Sequence, residues 1–245
     1  MERWLVGLAL AVGVGLAFRL LLTKLKAEVY DALIIQLTTR WYTAVLNRLK
    51  PQDRLLDIGI GTATALARNA HRVLEKKLVV VGIDYEEAYI TKAVGVVKAA
   101  GLHDSVRLLT KSVYDPQLPV LFSGAARFHA IYFSGSLTLM PQPAAALRAA
   151  ASMLHDKGRI YVTQTFQNQK SPLTEIIKPL LRWITTIDFG VVTVSARLEM
   201  RTMDEIVKSS GLTLLEDAAI PGSIDTSAQT ARMYVLEFRA DEKRC

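Results

Sequence analysis

Short apolar runs alternate along the chain with longer stretches in which apolar residues recur at helical spacing. The short runs predict buried strands, and the longer stretches predict helices that cover them. Predicted strands lie at residues 55–57, 78–84, 106–109, 128–133, 160–165, 212–215 and 232–238, with helices at 63–74, 86–100, 143–154 and 202–210. This alternation is typical of an α/β fold with a doubly wound, mostly parallel sheet.

The N-terminal pattern is different, because residues 4–22 are apolar apart from one charge, Arg19. A stretch of this length can cross a bilayer as a helix, so residues 1–26 are predicted to be a transmembrane anchor. Positive charge follows the span, which predicts a single-pass protein whose domain faces the cytosol from the endoplasmic reticulum or another organelle. A cleaved secretory signal ending near residues 15–17 and a helix lying in the interface are the alternatives.

Residues 27–50 are predicted to be an amphipathic linker helix, which ends before Pro51. This helix packs over the sheet or covers the site, or else Tyr30, Trp41 and Tyr42 rest on the bilayer. Residues 51–240 are then one domain, since 245 residues of which 51% are hydrophobic provide a single α/β core.

The net charge narrows the class of partner only slightly. A formal charge of +7 and a pI near 9.5 favour an anionic surface, either phospholipid headgroups or nucleic acid. A nucleic-acid substrate is disfavoured, because the sequence has no Asn/Asp-Pro-Pro-aromatic signature and no added RNA-binding module. The single cysteine, Cys245, excludes an internal disulfide.

The chemistry of the chain centres on a glycine turn after the first predicted strand. Asp57 closes that strand, Gly59 and Gly61 permit a tight turn, and Thr62 is placed to cap the following helix. The free N–H groups of such a turn are ready to bind a ligand. Because a carboxylate two residues before the first glycine repels a pyrophosphate, the turn favours a ligand with an ammonium group.

The next predicted strand ends in a second acid, Asp84, at the distance expected for a carboxylate that binds a ribose. With this acid, residues 56–64 resemble motif I of the class I S-adenosylmethionine-dependent methyltransferases, hydrophobic-Asp-x-Gly-x-Gly-x-Gly. Ala63 or Thr64 replaces the third glycine. The resemblance implies a Rossmann-like, seven-stranded sheet with an antiparallel last strand.

The resemblance also implies the cofactor and the residues that bind it. The cofactor is S-adenosyl-L-methionine, and residues 111–113 stand where the family has Gly-Asp-Ala, so Ser112 replaces the acid that contacts adenine, with Asp115 as the alternative. At the fourth strand His129 replaces another family acid. The predicted cofactor-binding residues are Asp57, Gly59, Gly61, Thr62, Asp84, Tyr85, Ser112, Val113 and Ser134.

The sequence therefore predicts a membrane-anchored methyltransferase that acts on a small lipophilic acceptor such as a quinone, lipid or thiol. The apolar segment 172–194 would cover the acceptor, and Ser134, Gln164 and Thr165 would contact it. No paired histidine and carboxylate identifies a general base. The alternative is a non-catalytic member of the fold that serves assembly or protein interaction, favoured by the drift at Ala63, Ser112 and His129.

Overall fold

The computed structural model of the protein describes residues 35–167, 200–227 and 229–238. Within these ranges, seven strands form one sheet in the order β3-β2-β1-β4-β5-β7-β6. β1 to β5 are parallel, and β7 pairs in antiparallel fashion with both β5 and β6. The strands are β1 Arg54–Ile58, β2 Val79–Asp84, β3 Val106–Thr110, β4 Phe128–Ser134, β5 Leu154–Gln167, β6 Thr213–Ala219 and β7 Gln229–Glu237.

Helices cover both faces of the sheet. The first helical residues described, 35–48, are called α1 here. α1 to α4 bury their apolar residues on one face of the sheet and α5 to α7 on the other. The remaining helices are α2 Thr64–Ala67, α3 Ala70–Glu75, α4 Glu87–Ala99, α5 Leu118–Leu121, α6 Pro143–Ser152 and α7 Met200–Ser210. The predicted doubly wound α/β fold with an antiparallel last strand is confirmed.

α1 packs on the sheet and does not offer its aromatic residues to a bilayer. Trp41 and Tyr42 are 4% and 2% exposed, so the hypothesis that they rest on the membrane is wrong. Tyr30 lies outside the described residues. The ammonium of Lys76 caps the C-terminal end of α1, donating to the carbonyl oxygens of Leu46, Asn47 and Leu49 at 2.7, 3.1 and 2.7 Å.

One predicted helix and one predicted strand differ most from the structure. The single helix predicted at 63–74 is two short helices, because the buried side chain of Asn69 bonds the Thr39 and Ala65 carbonyl oxygens at the break. β5 begins at Leu154 rather than at residue 160, and its pairing with β4 shifts register between Phe128 and Ala130.

The predicted anchor at residues 1–26 and the apolar segment 172–194 lie outside the described residues. Within the ranges that are described, no helix combines the length and the apolar character needed to cross a membrane.

Candidate functional site

The glycine turn joins the end of β1 to α2, at the point where the strand order reverses between β1 and β4. Gly59 has φ +78°, and the N–H groups of Gly59 and Ile60 donate to the carbonyl oxygen of Ile83 at 2.8 and 3.2 Å. The Ser136 hydroxyl donates to the Ile58 carbonyl oxygen at 2.5 Å. A Cβ at position 59 would lie 2.6 Å from the Ser136 Cβ, so only glycine fits there.

At the far side of the turn, Ala63 occupies the position of the third glycine in the family motif. Ala63 adopts the left-handed conformation, with φ 57° and ψ 9°, and is the N-cap of α2. The prediction that Thr62 caps this helix is wrong, because α2 has no side-chain cap. The Thr62 hydroxyl instead bonds the Thr64 hydroxyl at 2.8 Å.

Asp84 ties the turn to the second strand. One carboxylate oxygen accepts the Gly61 N–H and the other accepts the Glu86 N–H, both at 3.0 Å. The side chain thereby fixes the glycine turn and satisfies a free N–H at the start of α4. Each oxygen keeps a second lone pair for another donor.

Asp57 has a very different environment, although it also lies near the end of a strand. It is completely buried, and one oxygen accepts the Tyr42 hydroxyl at 2.7 Å. Its other oxygen, Oδ1, has no hydrogen-bond partner among the described residues. Burial raises the pKa of Asp57 to about 7, the Tyr42 hydrogen bond lowers this pKa, and the charge of Asp84 raises it.

The other predicted cofactor residues lie at or just after the carboxyl ends of β2, β3 and β4, at the same edge of the sheet. Tyr85 is 78% exposed and adjoins Asp84. The Ser112 hydroxyl accepts the Tyr114 N–H at 3.3 Å, and Val113 is buried. Ser134 ends β4 and pairs in register with a residue of β5. The structure thus brings all nine predicted cofactor residues to one edge.

Two further side chains named from the sequence have other partners. Asp115, the alternative adenine acceptor, forms an ion pair with Lys111 at 2.6 Å and accepts the Gln117 N–H at 2.9 Å. His129 lies near the start of β4, at the opposite edge of the sheet, where its Nδ1 accepts the Arg54 N–H at 3.0 Å. Neither arrangement assigns these groups to the cofactor site.

One of the residues predicted to contact the acceptor is already hydrogen-bonded within the protein. Gln164 is 1% exposed, and its side-chain oxygen accepts the Thr138 hydroxyl at 3.2 Å. Thr165 is half-buried. The sequence did not identify Ser136 and Tyr42 as contacts of the turn, because each reaches it from an element distant in sequence.

The edge between β1 and β2 fits a ligand that carries an amine and a ribose. A Cβ at Gly61 would meet no atom of the described residues within 4 Å, so these residues leave space beside the turn. Asp84 retains lone pairs for ribose hydroxyls, and Asp57 Oδ1 is an acceptor for an ammonium or a bridging water. These residues would hold S-adenosylmethionine, which supplies an electrophilic methyl group when bound.

Comparison with known proteins agrees with this arrangement. A family model described as a methyltransferase domain matches residues 49–205. A phosphatidylethanolamine N-methyltransferase of Cereibacter sphaeroides is 24% identical over 162 residues, covering 64% of this chain and 75% of the relative.

Solved structures share the fold at low identity. A methyltransferase from Thiobacillus denitrificans, in complex with S-adenosyl-L-homocysteine, superposes with a TM-score of 0.54 and 13% identity over 82% of this chain and 91% of that one. The [4+2]-cyclase SpnF gives 0.58 and 16% over 82% and 81%. The family match, together with the glycine turn and its two acids, shows that this chain belongs to the class I methyltransferases, enzymes that use S-adenosylmethionine as methyl donor.

Proposed function

We propose that the protein is a membrane-anchored methyltransferase whose acceptor is a small lipophilic molecule, with the amine headgroup of a phospholipid as the first candidate. The observation that carries the proposal is the apolar stretch at residues 4–22, which contains one charge. The similarity to a phosphatidylethanolamine N-methyltransferase supports a lipid amine over a quinone or a thiol.

The chain between the stretch and the domain is short enough to keep the site near a bilayer. Twelve residues lie between residue 22 and residue 35, so the thirteen steps from one to the other span at most about 45 Å. α1 is in turn fixed to the cofactor site through the Tyr42–Asp57 hydrogen bond. The net charge of +7 on the full chain would also favour an anionic leaflet, with the domain facing the cytosol.

An amine acceptor does not require a paired histidine and carboxylate as general base, and the sequence identifies no such pair. The acceptor nitrogen attacks the methyl carbon with its lone pair, the carbon–sulfur bond breaks, and its electrons remain on sulfur as S-adenosylhomocysteine forms. A phospholipid amine is protonated at neutral pH, so it would give up one proton to water before this attack and would become a methylated ammonium group after it. The protein's part is to align the acceptor and exclude water from the reacting atoms, so no histidine–carboxylate pair is required.

The test of the acceptor uses the full chain in vesicles with radiolabelled S-adenosylmethionine. Vesicles of phosphatidylethanolamine should yield labelled lipid, whereas phosphatidylcholine vesicles, which offer no amine to methylate, should not. Quinone-loaded vesicles and a thiol are the rival acceptors, and Asp84→Ala is the inactive control. Label found only on a quinone or a thiol contradicts the lipid-amine proposal. Cofactor binding without transfer to any acceptor would favour the non-catalytic alternative.

The anchor is tested separately by deleting residues 1–26. The shortened chain should move from the membrane fraction to the supernatant while keeping its circular dichroism spectrum and its affinity for S-adenosylhomocysteine. Protease protection of the full chain in sealed microsomes checks the cytosolic orientation. A folded, shortened chain that stays on membranes would show that another surface holds it there.

A further inference from the structure

Tyr42 is the only described side chain that hydrogen-bonds Asp57, and it comes from α1, outside the βα units that form the turn. The side chains of Tyr42 and Asp57 are both buried. The Tyr42 ring packs edge-on against Tyr132, with centroids 5.0 Å apart and planes at 86°. None of the described Lys, Arg or His side chains forms an ion pair with Asp57, so the phenol hydroxyl is its one polar contact.

We propose that Tyr42 is a positioning residue of the cofactor site: its hydroxyl holds one oxygen of Asp57 and leaves Oδ1 to accept from the cofactor, which couples the docking of α1 to cofactor binding. The inference rests on the cofactor site and needs neither the membrane nor the acceptor of the proposed function. A failure of one therefore does not imply a failure of the other.

The contacts of α1 explain why Tyr42 can hold a fixed position. The Asn69 amide nitrogen donates to the Thr39 carbonyl oxygen at 3.1 Å, and its oxygen accepts the Thr43 hydroxyl at 2.8 Å. Arg48 makes two hydrogen bonds to the Glu216 carboxylate, at 2.6 and 2.7 Å. These bonds flank Tyr42 along the helix, so its hydroxyl is presented to Asp57 by a helix anchored on both sides.

The Tyr42 hydroxyl opposes the other influences on the pKa of Asp57. Among the described residues, the titratable groups facing Asp57 are Tyr42 from α1, Asp84 from β2 and Tyr132 from β4. Burial and the charge of Asp84 raise the pKa of Asp57, while the Tyr42 hydrogen bond lowers it. Since an ammonium group binds the carboxylate and not the neutral acid, cofactor affinity should rise with pH until Asp57 is ionised.

The test compares Tyr42→Phe with the unaltered protein, using the full chain in detergent and S-adenosylhomocysteine as the probe from pH 6 to 8.5. For the unaltered protein the affinity should rise with a midpoint near pH 7. Loss of a hydrogen bond to a charged group should raise that midpoint by about one pH unit, with about fivefold weaker binding at pH 7 and near-convergence at pH 8.5. The ligand's own titration is common to all variants and cancels in their ratio.

Tyr132→Phe is the matched control, since it removes a neighbouring buried hydroxyl that bonds Thr163 and not Asp57. It should leave the midpoint unchanged. Adding Tyr42→Phe to Asp57→Asn should cause no further loss of affinity. A loss of affinity in Tyr42→Phe that is equal at every pH, or an unchanged midpoint, would overturn the proposal in favour of packing alone.

Hydrogen exchange on the unaltered protein gives a reading that does not depend on the fold of any variant. Binding of S-adenosylhomocysteine should slow exchange of the amides of residues 35–48 by about tenfold or more once rates are corrected for pH. Exchange in α1 that is unaffected by saturating ligand would contradict the coupling.

Discussion

The ends of β1 and β2 present the same residue type to the same turn, yet the two acids have opposite surroundings. Asp84 accepts two backbone N–H groups, whereas Asp57 is sealed beneath α1 with one phenol hydroxyl. Asp84 therefore builds the turn and the start of α4. Asp57 contributes a charge at a cost in desolvation, and the comparison shows that acids near the ends of neighbouring strands need not share a role.

The largest effect should come from Asp84→Ala. The variant removes the acceptor for both the Gly61 and the Glu86 N–H groups, so the turn loses its tie to β2. We expect affinity for S-adenosylmethionine to fall by about 100-fold and the free energy of unfolding by about 2–4 kcal/mol. Calorimetric titration and urea unfolding measure the two. Asp84→Asn, which can still accept one N–H group, should fall between, and an equal loss in both variants would contradict the account.

The glycines that flank the turn should separate a steric effect from a conformational one. At Gly59 an added Cβ meets Ser136 and the φ is positive, so Gly59→Ala should cost about 3 kcal/mol of unfolding free energy. At Gly61 the φ is +57° but an added Cβ would meet no atom of the described residues within 4 Å, so Gly61→Ala should cost about 1–2 kcal/mol. Thermal unfolding ranks the pair, and the reverse ranking would show that the Ser136 contact does not restrict position 59.

Asp57→Asn should stabilise the cofactor-free protein, whereas Asp84→Ala should destabilise it. The folded pKa of about 7 exceeds the ordinary value of 3.8, so the folded protein binds more protons than the unfolded chain between these values. The free energy of unfolding should therefore fall as pH rises from about 4 to 7 and then level off. Asp57→Asn should abolish this Asp57-dependent fall and stabilise the cofactor-free protein by about 1–3 kcal/mol at pH 8.

The same variant should bind cofactor more weakly, by about tenfold at pH 8, because the ammonium loses a charged partner. Urea unfolding across pH and calorimetric titration check the two halves together. A variant that is less stable than the unaltered protein at pH 8 would show that the burial of Asp57 carries no electrostatic cost.

The smallest effect is expected at Ala63, where the family has glycine. Ala63→Gly removes the backbone strain of the left-handed conformation but raises the conformational entropy of the unfolded chain. The stabilising and destabilising contributions should therefore nearly cancel. We expect a change within about 1 kcal/mol in thermal unfolding and unaltered cofactor affinity. A large loss of stability would show that the Ala63 methyl group has a packing role.

The fold was predictable because its signals are local. Apolar runs ending in Asp57 and Asp84 located β1 and β2, and the spacing of apolar residues located α4 and α6. The break at Asn69 was not predictable, since its cause is the Thr39 carbonyl oxygen of another helix. The early start of β5 likewise depends on pairing with β4.

The site was predictable only for residues on the turn and the strand ends. The sequence identifies Gly59 but not Ser136, which closes the space beside it from 77 positions away. The sequence likewise identifies an acid at position 57 but not its burial, which depends on where α1 packs. Tyr42 lies in an amphipathic pattern that predicts core packing, and nothing in that pattern distinguishes the hydroxyl that reaches Asp57.

The most direct test of the central claim, that the turn between Asp57 and Asp84 holds S-adenosylmethionine, is calorimetric titration of the full chain in detergent. The unaltered protein should bind S-adenosylmethionine and its demethylated product saturably and should not bind NAD, and Asp84→Ala should weaken both interactions by about 100-fold. Unchanged affinity in a folded Asp84→Ala variant, or saturable binding of NAD in place of the methyl donor, would contradict it.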